Sequence, residues 1–299
     1  PGPDLTGGKW MGQILDGKAL AQTLCGDLKK RVDALTAQGI TPKLAVILVG
    51  EDPASQLYVR SKGKRAAELG ILAEQYTYPA SLSEGALLDK IRQLNQDDTV
   101  HGILVQLPLP GHLDPDKVIA CIDPQKDVDG FHVQNAGALL TGQPGFIPCT
   151  PKGILALVKR TGLPIAGKRC VVVGRSNIVG KPMALLMLRE DATVTICHSR
   201  TKELGAITRE ADILIAAVGK AGLITADMVK EGAVVIDVGQ VRIQGKWQGD
   251  VDFGPVCEKA AFTTPVPGGV GPMTIAMLMD NTVESAQRAL QARLEHGKG

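Results

Sequence analysis

Apolar runs alternate with amphipathic stretches through most of the chain, and this rhythm predicts strands and helices in turn. KLAVILVG (43–50) reads as a buried strand closed by a glycine. Residues 52–70 read as a helix, with Asp52 as cap, Pro53 in the first turn and Gly70 at the exit. A strand at AEQYTYP (73–79), a helix around 83–95 and a strand at VHGILVQLP (100–108) continue the pattern. Residues 111–150 are richer in Pro and Gly and less periodic, and a linking helix is expected over 150–160. RCVVVG (169–174), TVTICH (193–198), DILIAAVG (212–219) and AVVIDVG (233–239) form a second β/α set. A rigid glycine-rich loop, PVPGGVGP (265–272), precedes a final helix over about 272–295 that is expected to return to the first domain.

This order implies an α/β fold of two doubly wound domains, the C-terminal one Rossmann-like, with a cleft between them. The expected boundaries are 12–149 with 273–299 for one domain and 150–272 for the other. The opening PGPDLTGGKW lacks periodicity and is followed by Met11, so residues 1–11 read as a tag or disordered leader.

Composition changes this picture little. With 44% hydrophobic and 21% charged residues among 299, the chain resembles an ordinary soluble globular protein. Thirty-three Lys and Arg against 31 Asp and Glu leave a charge of +2, which gives no reason to expect a nucleic-acid or membrane partner. The six cysteines are scattered and no signal peptide is read, so reduced thiols in the cytoplasm are expected. Five histidines without ligand spacing leave no case for a metal.

VVVGRSNIVGKP (171–182) is a strand, a tight turn and a helix start, and it varies the dinucleotide fingerprint. Gly174 makes the turn, Ser176 replaces the middle glycine and Gly180 comes one place late. The helix N-terminus is expected to offer unpaired amides to phosphate. The next strand ends in CHSRT, where an NAD enzyme usually places an acid. Here stand Ser199 and Arg200, with Arg175 supplied by the turn; these groups suit a 2′-phosphate, so NADP is preferred over NAD. A plain glycine-punctuated turn is the competing reading.

Tyr58 and Lys62 stand four apart and share a face of the predicted helix. A lysine partly withdrawn from water there can move protons near neutral pH. An isolated Y-x-x-x-K is more often a half-buried tyrosine beside a solvated lysine. Gln106 ends an apolar strand, and its neutral amide can bind an amine; a mere strand-end polar residue is the alternative. Asp127 and Asp129 offer carboxylates in a turn, and a capped, solvated turn is as common. Gly268, Gly269 and Gly271 permit close approach to a flat ligand, or simply shape the entry to the last helix.

Taken in order, Ser55 to Lys62 (SxxYVxxK), VQLPLP (105–110), KDVDG (126–130), GRSNIVGKP (174–182), CHSRT (197–201) and TPVPGGVGPMT (264–274) carry a resemblance. The chain after residue 12 resembles the bifunctional methylenetetrahydrofolate dehydrogenase/methenyltetrahydrofolate cyclohydrolase family. The resemblance implies Lys62 as the principal catalytic residue, Tyr58 as its neighbour over the substrate, Gln106 as its tuning partner and Asp129 as the carboxylate on the pterin amino edge. It implies Ser55, Val105, Leu107, Pro267, Gly268, Gly269, Val270 and Gly271 on the folate side. Gly174, Arg175, Ser176, Ser199, Arg200 and Gln240 would meet NADP. Gln240 departs from the family, which usually has an apolar residue after DVG. Tetrahydrofolate one-carbon derivatives and a second copy of the chain, as a homodimer, are the implied partners. The trifunctional version, with a formate-ligase domain, is not expected.

Two enzymatic rivals share parts of this pattern. A short-chain dehydrogenase places its nucleotide loop before the Tyr-Lys pair, the reverse of the order here. A shikimate-dehydrogenase-like enzyme shares the two-domain plan but does not account for KDVDG and PVPGGVGP together. The non-enzymatic alternative is an NADP-binding module, against which the presence of both Lys62 and Gln106 argues.

Overall fold

The computed structural model describes residues 12–296, so the expected leader at 1–11 lies outside the described residues. In chain order the elements begin with Gln13–Ile14 (β1), Gly17–Ala37 (α1), Lys43–Val49 (β2), Pro53–Leu69 (α2) and Leu72–Tyr78 (β3). Glu84–Gln96 (α3), Gly102–Val105 (β4), Pro115–Cys121 (α4), Val133–Thr141 (α5) and Cys149–Arg160 (α6) follow. Next come Arg169–Val173 (β5), Gly180–Arg189 (α7), Thr193–Cys197 (β6), Leu204–Thr208 (α8), Ile213–Ala216 (β7) and Val234–Asp237 (β8). Val241–Ile243 (β9), Lys246–Gln248 (β10), Phe253–Lys259 (α9), Phe262–Thr263 (β11) and Val270–His296 (α10) complete the chain.

Two compact units result. One comprises Gln22–Cys149 and the chain from Ile275 onward. Its parallel sheet has the order β3-β2-β4, with Leu44 opposite Ala73 and Gly102. The run Leu44 to Val49 is buried throughout, as expected of a strand covered on both faces. Ile47, Leu87, Ile91 and Ile103 pack together in its core. Helix α2 starts and stops where the sequence indicates: the Asp52 carboxylate accepts the Ser55 amide at 2.8 Å, and Gly70 closes the helix at φ 80°. Strand β4 is shorter than expected. The Gln106 amide still bonds the Ile47 carbonyl, but Pro108 and Pro110 lack the amide hydrogens to continue the ladder.

The second unit holds Thr150–Thr274 together with residues 12–21. Its six strands run in the order β1-β11-β8-β7-β5-β6, every pair parallel. This departs from the expected boundaries. Gln13 pairs with Phe262, and the Leu15 amide bonds the Thr263 carbonyl, so the first described residues belong to this sheet. A two-residue strand carries no periodicity from which to read that. The same limit hid α4 and α5, of 7 and 9 residues, inside the stretch that looked irregular. It also hid the β9–β10 hairpin, whose turn at Gln244 and Gly245 has φ of 47° and 80°.

Candidate active site

In the three-stranded unit, α2 and the end of β4 bring Lys62 and Gln106 together. Lys62 Nζ donates to Gln106 Oε1 at 2.9 Å. The Gln106 amide nitrogen donates to the Leu107 carbonyl at 2.8 Å, which fixes the amide so that its oxygen faces the lysine. Tyr58, one helical turn before Lys62, is 37% exposed, and burial of the rest pushes its phenol above the usual range. It therefore stays protonated at neutral pH as a potential donor. Ser55 is buried, with its amide and hydroxyl both bonded to the Asp52 carboxylate, so its polar groups serve the start of the helix.

The two aspartates of KDVDG part company. Asp127 is 1% exposed, and one of its oxygens accepts the His132 amide and the Asn135 side chain, both at 2.8 Å. Asp129 is partly open. Burial pushes its carboxyl up to about 6, the positive Lys62 pulls it down, and Asp127 adds a smaller upward push. The Cys149 thiol donates to its Oδ1, with the sulfur at 4.0 Å. Behind this turn, Asn281 of α10 donates to the carbonyls of Val128 at 2.8 Å and Ile147 at 3.0 Å. Asp127 thus shapes the turn, Asn281 fastens it, and Asp129 keeps acceptor capacity beside the lysine.

In the six-stranded unit, Gly174 leaves β5 at φ 126°, and a Cβ there would lie 2.3 Å from the Ala217 carbonyl oxygen. A Cβ on Gly180 would lie 2.2 Å from the Gly174 carbonyl oxygen, so turn and helix start are in close contact. The expected unpaired helix amides need correction. Ser176 Oγ accepts the amides of Val179 at 3.1 Å and Gly180 at 3.3 Å, which leaves its hydroxyl hydrogen for a ligand. Val173 at the end of β5 pairs with Cys197 at the end of β6, so Arg175, Ser199 and Arg200 follow adjacent strand ends. All three are exposed, and among the described residues neither guanidinium has an acidic partner. Pro267 to Gly271 belong to this unit rather than to the one holding Lys62. The side-chain nitrogen of Gln240 lies 2.8 Å from where a Gly271 Cβ would be, so Gln240 packs against that loop.

Family models match both parts of the chain. The catalytic domain of tetrahydrofolate dehydrogenase/cyclohydrolase matches residues 15–129, and the NAD(P)-binding domain of the same family matches 148–290. The chain belongs to this family. The bifunctional protein FolD of Variovorax paradoxus is 59% identical over 278 residues, covering 93% of this chain and 98% of its own. The crystal structure of the bifunctional dehydrogenase/cyclohydrolase FolD from Campylobacter jejuni superposes with a TM-score of 0.91 at 51% identity, covering 92% of this chain and 99% of its own. That of the Trypanosoma brucei dehydrogenase-cyclohydrolase, complexed with NADP cofactor and an inhibitor, has a TM-score of 0.90 at 38% identity, covering 93% and 98%.

Membership makes the chain a bifunctional dehydrogenase and cyclohydrolase, which sets aside the shikimate-dehydrogenase-like and non-catalytic readings. A cavity of about 890 Å³ at the start of β2 and β3, lined by Lys43, His101 and Lys126, lies at the opposite end of the sheet from Gln106. Its lysines are already committed: Lys43 pairs with Glu74 at 2.8 Å, and Lys126 donates to the carbonyls of Leu94, Asn95 and Asp97. Among the described residues no cluster of His, Cys, Asp or Glu could hold a metal ion, and no helix is long and apolar enough to cross a membrane.

Proposed function

We propose that Lys62, held by Gln106, moves the protons on which hydrolysis depends, and that Asp129 binds the amino edge of the pterin. The enzyme oxidises 5,10-methylenetetrahydrofolate with NADP and hydrolyses the methenyl product to 10-formyltetrahydrofolate. When bound, NADP accepts the hydride that leaves the one-carbon bridge. The methenyl cation left on the folate is the electrophile of the second step. Water adds to its carbon and gives up one proton. The bond from that carbon to N5 then breaks, N5 takes the electron pair and a proton from the added hydroxyl, and the formyl group stays on N10. Lys62 Nζ is the group that takes and returns these protons, and Tyr58 covers the substrate beside it. The observation that carries this reading is the 2.9 Å contact to Gln106, which holds the amine without fixing its charge.

The cofactor reading rests on the tight Gly174 turn, where a Cβ would meet the Ala217 carbonyl, and on the acid-free group Arg175, Ser199 and Arg200. Arg175 and Ser199 bind the 2′-phosphate, and Arg200 contributes less. Among the described residues the six cysteines form no disulfide, which fits a reducing, cytoplasmic setting. A homodimer, implied by the family resemblance, predicts a solution mass twice the 31.5 kDa of one chain by light scattering.

Lys62→Met tests the central assignment. Loss of general acid–base catalysis is worth about 10²- to 10⁴-fold, so methenyl hydrolysis falls by that factor while folate binding survives. Hydrolysis within a few-fold of wild type removes Lys62 from the role.

A further inference from the structure

We propose that Asp250 is a positioning residue for the cofactor, acting through the loop that leaves β7. The inference rests on the assignment of the Gly174 turn to NADP. Asp250 is fully buried, yet its carboxylate is filled by the backbone. It accepts the amides of Val218 at 2.7 Å, Gly219 at 3.1 Å and Lys220 at 2.6 Å. These three residues directly follow Ala217, the residue on whose carbonyl Gly174 packs. Strand β7 lies next to β5 in the sheet, with Val173 opposite Ala216. The cofactor turn therefore rests on a loop whose shape is set by one carboxylate.

Consecutive amides that converge on one point form an anion-binding nest. Here the anion is the protein's own carboxylate, so these three amides are not left for a phosphate. Val218 instead turns its side chain outward, 40% exposed, at the strand ends that carry the Gly174 turn. The same network reaches β8. The Asp250 amide donates to Asp237 Oδ1 at 2.8 Å, and Asp237 also accepts the amides of Gly239 and Val251, both at 3.0 Å. Space around the pair is closed: a Cβ on Gly239 would lie 2.3 Å from Asp250 Oδ1, and one on Gly249 would lie 1.8 Å from Asp237 Oδ2. Only a carboxylate offers acceptors alone at both oxygens. An asparagine presents a donor to at least one of the three amides and opens the loop.

The test is Asp250→Asn in the intact enzyme, with the two activities assayed apart. The NADP KM rises at least about tenfold, one charge-assisted contact's worth, while dehydrogenase kcat at saturating NADP stays within about twofold. Cyclohydrolase activity, measured on methenyltetrahydrofolate without NADP, stays within about twofold, which a general loss of folding would not allow. Should Asp250→Asn fail to fold, Lys220→Pro removes one of the same amides from an exposed loop position and must raise the NADP KM in the same selective way. An unchanged NADP KM in the folded variant, or both activities falling together, overturns the proposal. A wild type that does not saturate with NADP overturns the cofactor assignment and this proposal with it.

Discussion

Asp129 and Asp250 each stand in a loop, one in each unit, and they are held in opposite ways. Asp250 is buried completely and saturated by three backbone amides. Asp129 is partly open, carries a desolvation penalty that pushes its carboxyl up to about 6, and faces Lys62 as its main counter-charge. The first arrangement spends a carboxylate on backbone shape, and the second keeps one ready for a ligand. The units differ in the same sense. In the assignment proposed above, the folate-side chemistry sits in side chains, Lys62, Gln106 and Asp129. On the cofactor side that assignment gives most recognition to backbone geometry, with Arg175 and Ser199 as the main side-chain readers.

Arg175 is where that contrast is most easily broken. A charge-assisted contact to phosphate is worth about 1.5–3 kcal/mol, so Arg175→Ala weakens NADP by about ten- to a hundredfold and leaves NAD nearly untouched. The ratio of kcat/KM for the two cofactors, in wild type and variant, reads this directly. An unchanged ratio transfers the phosphate to another group.

Asp129→Asn sharpens the other half. Losing charge assistance to the pterin edge raises the folate KM about tenfold in both activities. The wild-type folate KM also rises as pH falls through about 6, because the carboxyl is then protonated. That step is absent from the variant. If Asp127→Asn raises the folate KM and Asp129→Asn does not, the two carboxylates have been assigned the wrong way round.

The smallest expected effect is on stability, and its sign is the informative part. Burial raises the Asp129 carboxyl above its ordinary 3.8, so the folded state resists ionising it. What this group contributes to stability is full below about 3.8 and declines as pH rises through about 6. Asp129→Asn therefore stabilises the protein by about 1 kcal/mol near about pH 7.5, after allowance for solvent screening, and by nothing near about pH 3. Denaturant melts at the two pH values check it. A loss of stability at both would make Asp129 a second shaping residue like Asp250.

What the sequence reveals follows the same division. The helix at 52–70 was legible to the residue because its cap, its first-turn proline and its exit glycine each leave a local mark. Lys62, Gln106 and Asp129 each stand in a short motif that the sequence displays, and the structure brings Lys62 and Gln106 into contact. Asp237, Asp250 and Asn281 were not legible, because most of their partners are amides and carbonyls distant in the chain, and a backbone group has no residue identity to read. Glycines give the one usable sign: Gly239 and Gly249, two and one residues from those carboxylates, leave room that a Cβ would fill. Residues 12–21 were misassigned because a two-residue strand has no periodicity and finds its place only by pairing with Phe262 and Thr263.

The most direct test of the whole account is steady-state oxidation of 5,10-methylenetetrahydrofolate by the purified protein, with NADP and NAD compared under one set of conditions. Reduction of the nicotinamide is followed by absorbance, and 10-formyltetrahydrofolate is measured as the final product. The account predicts turnover with NADP, a kcat/KM at least about tenfold above that with NAD, and formyl product from the same protein. No turnover with NADP, or a preference for NAD, would contradict it.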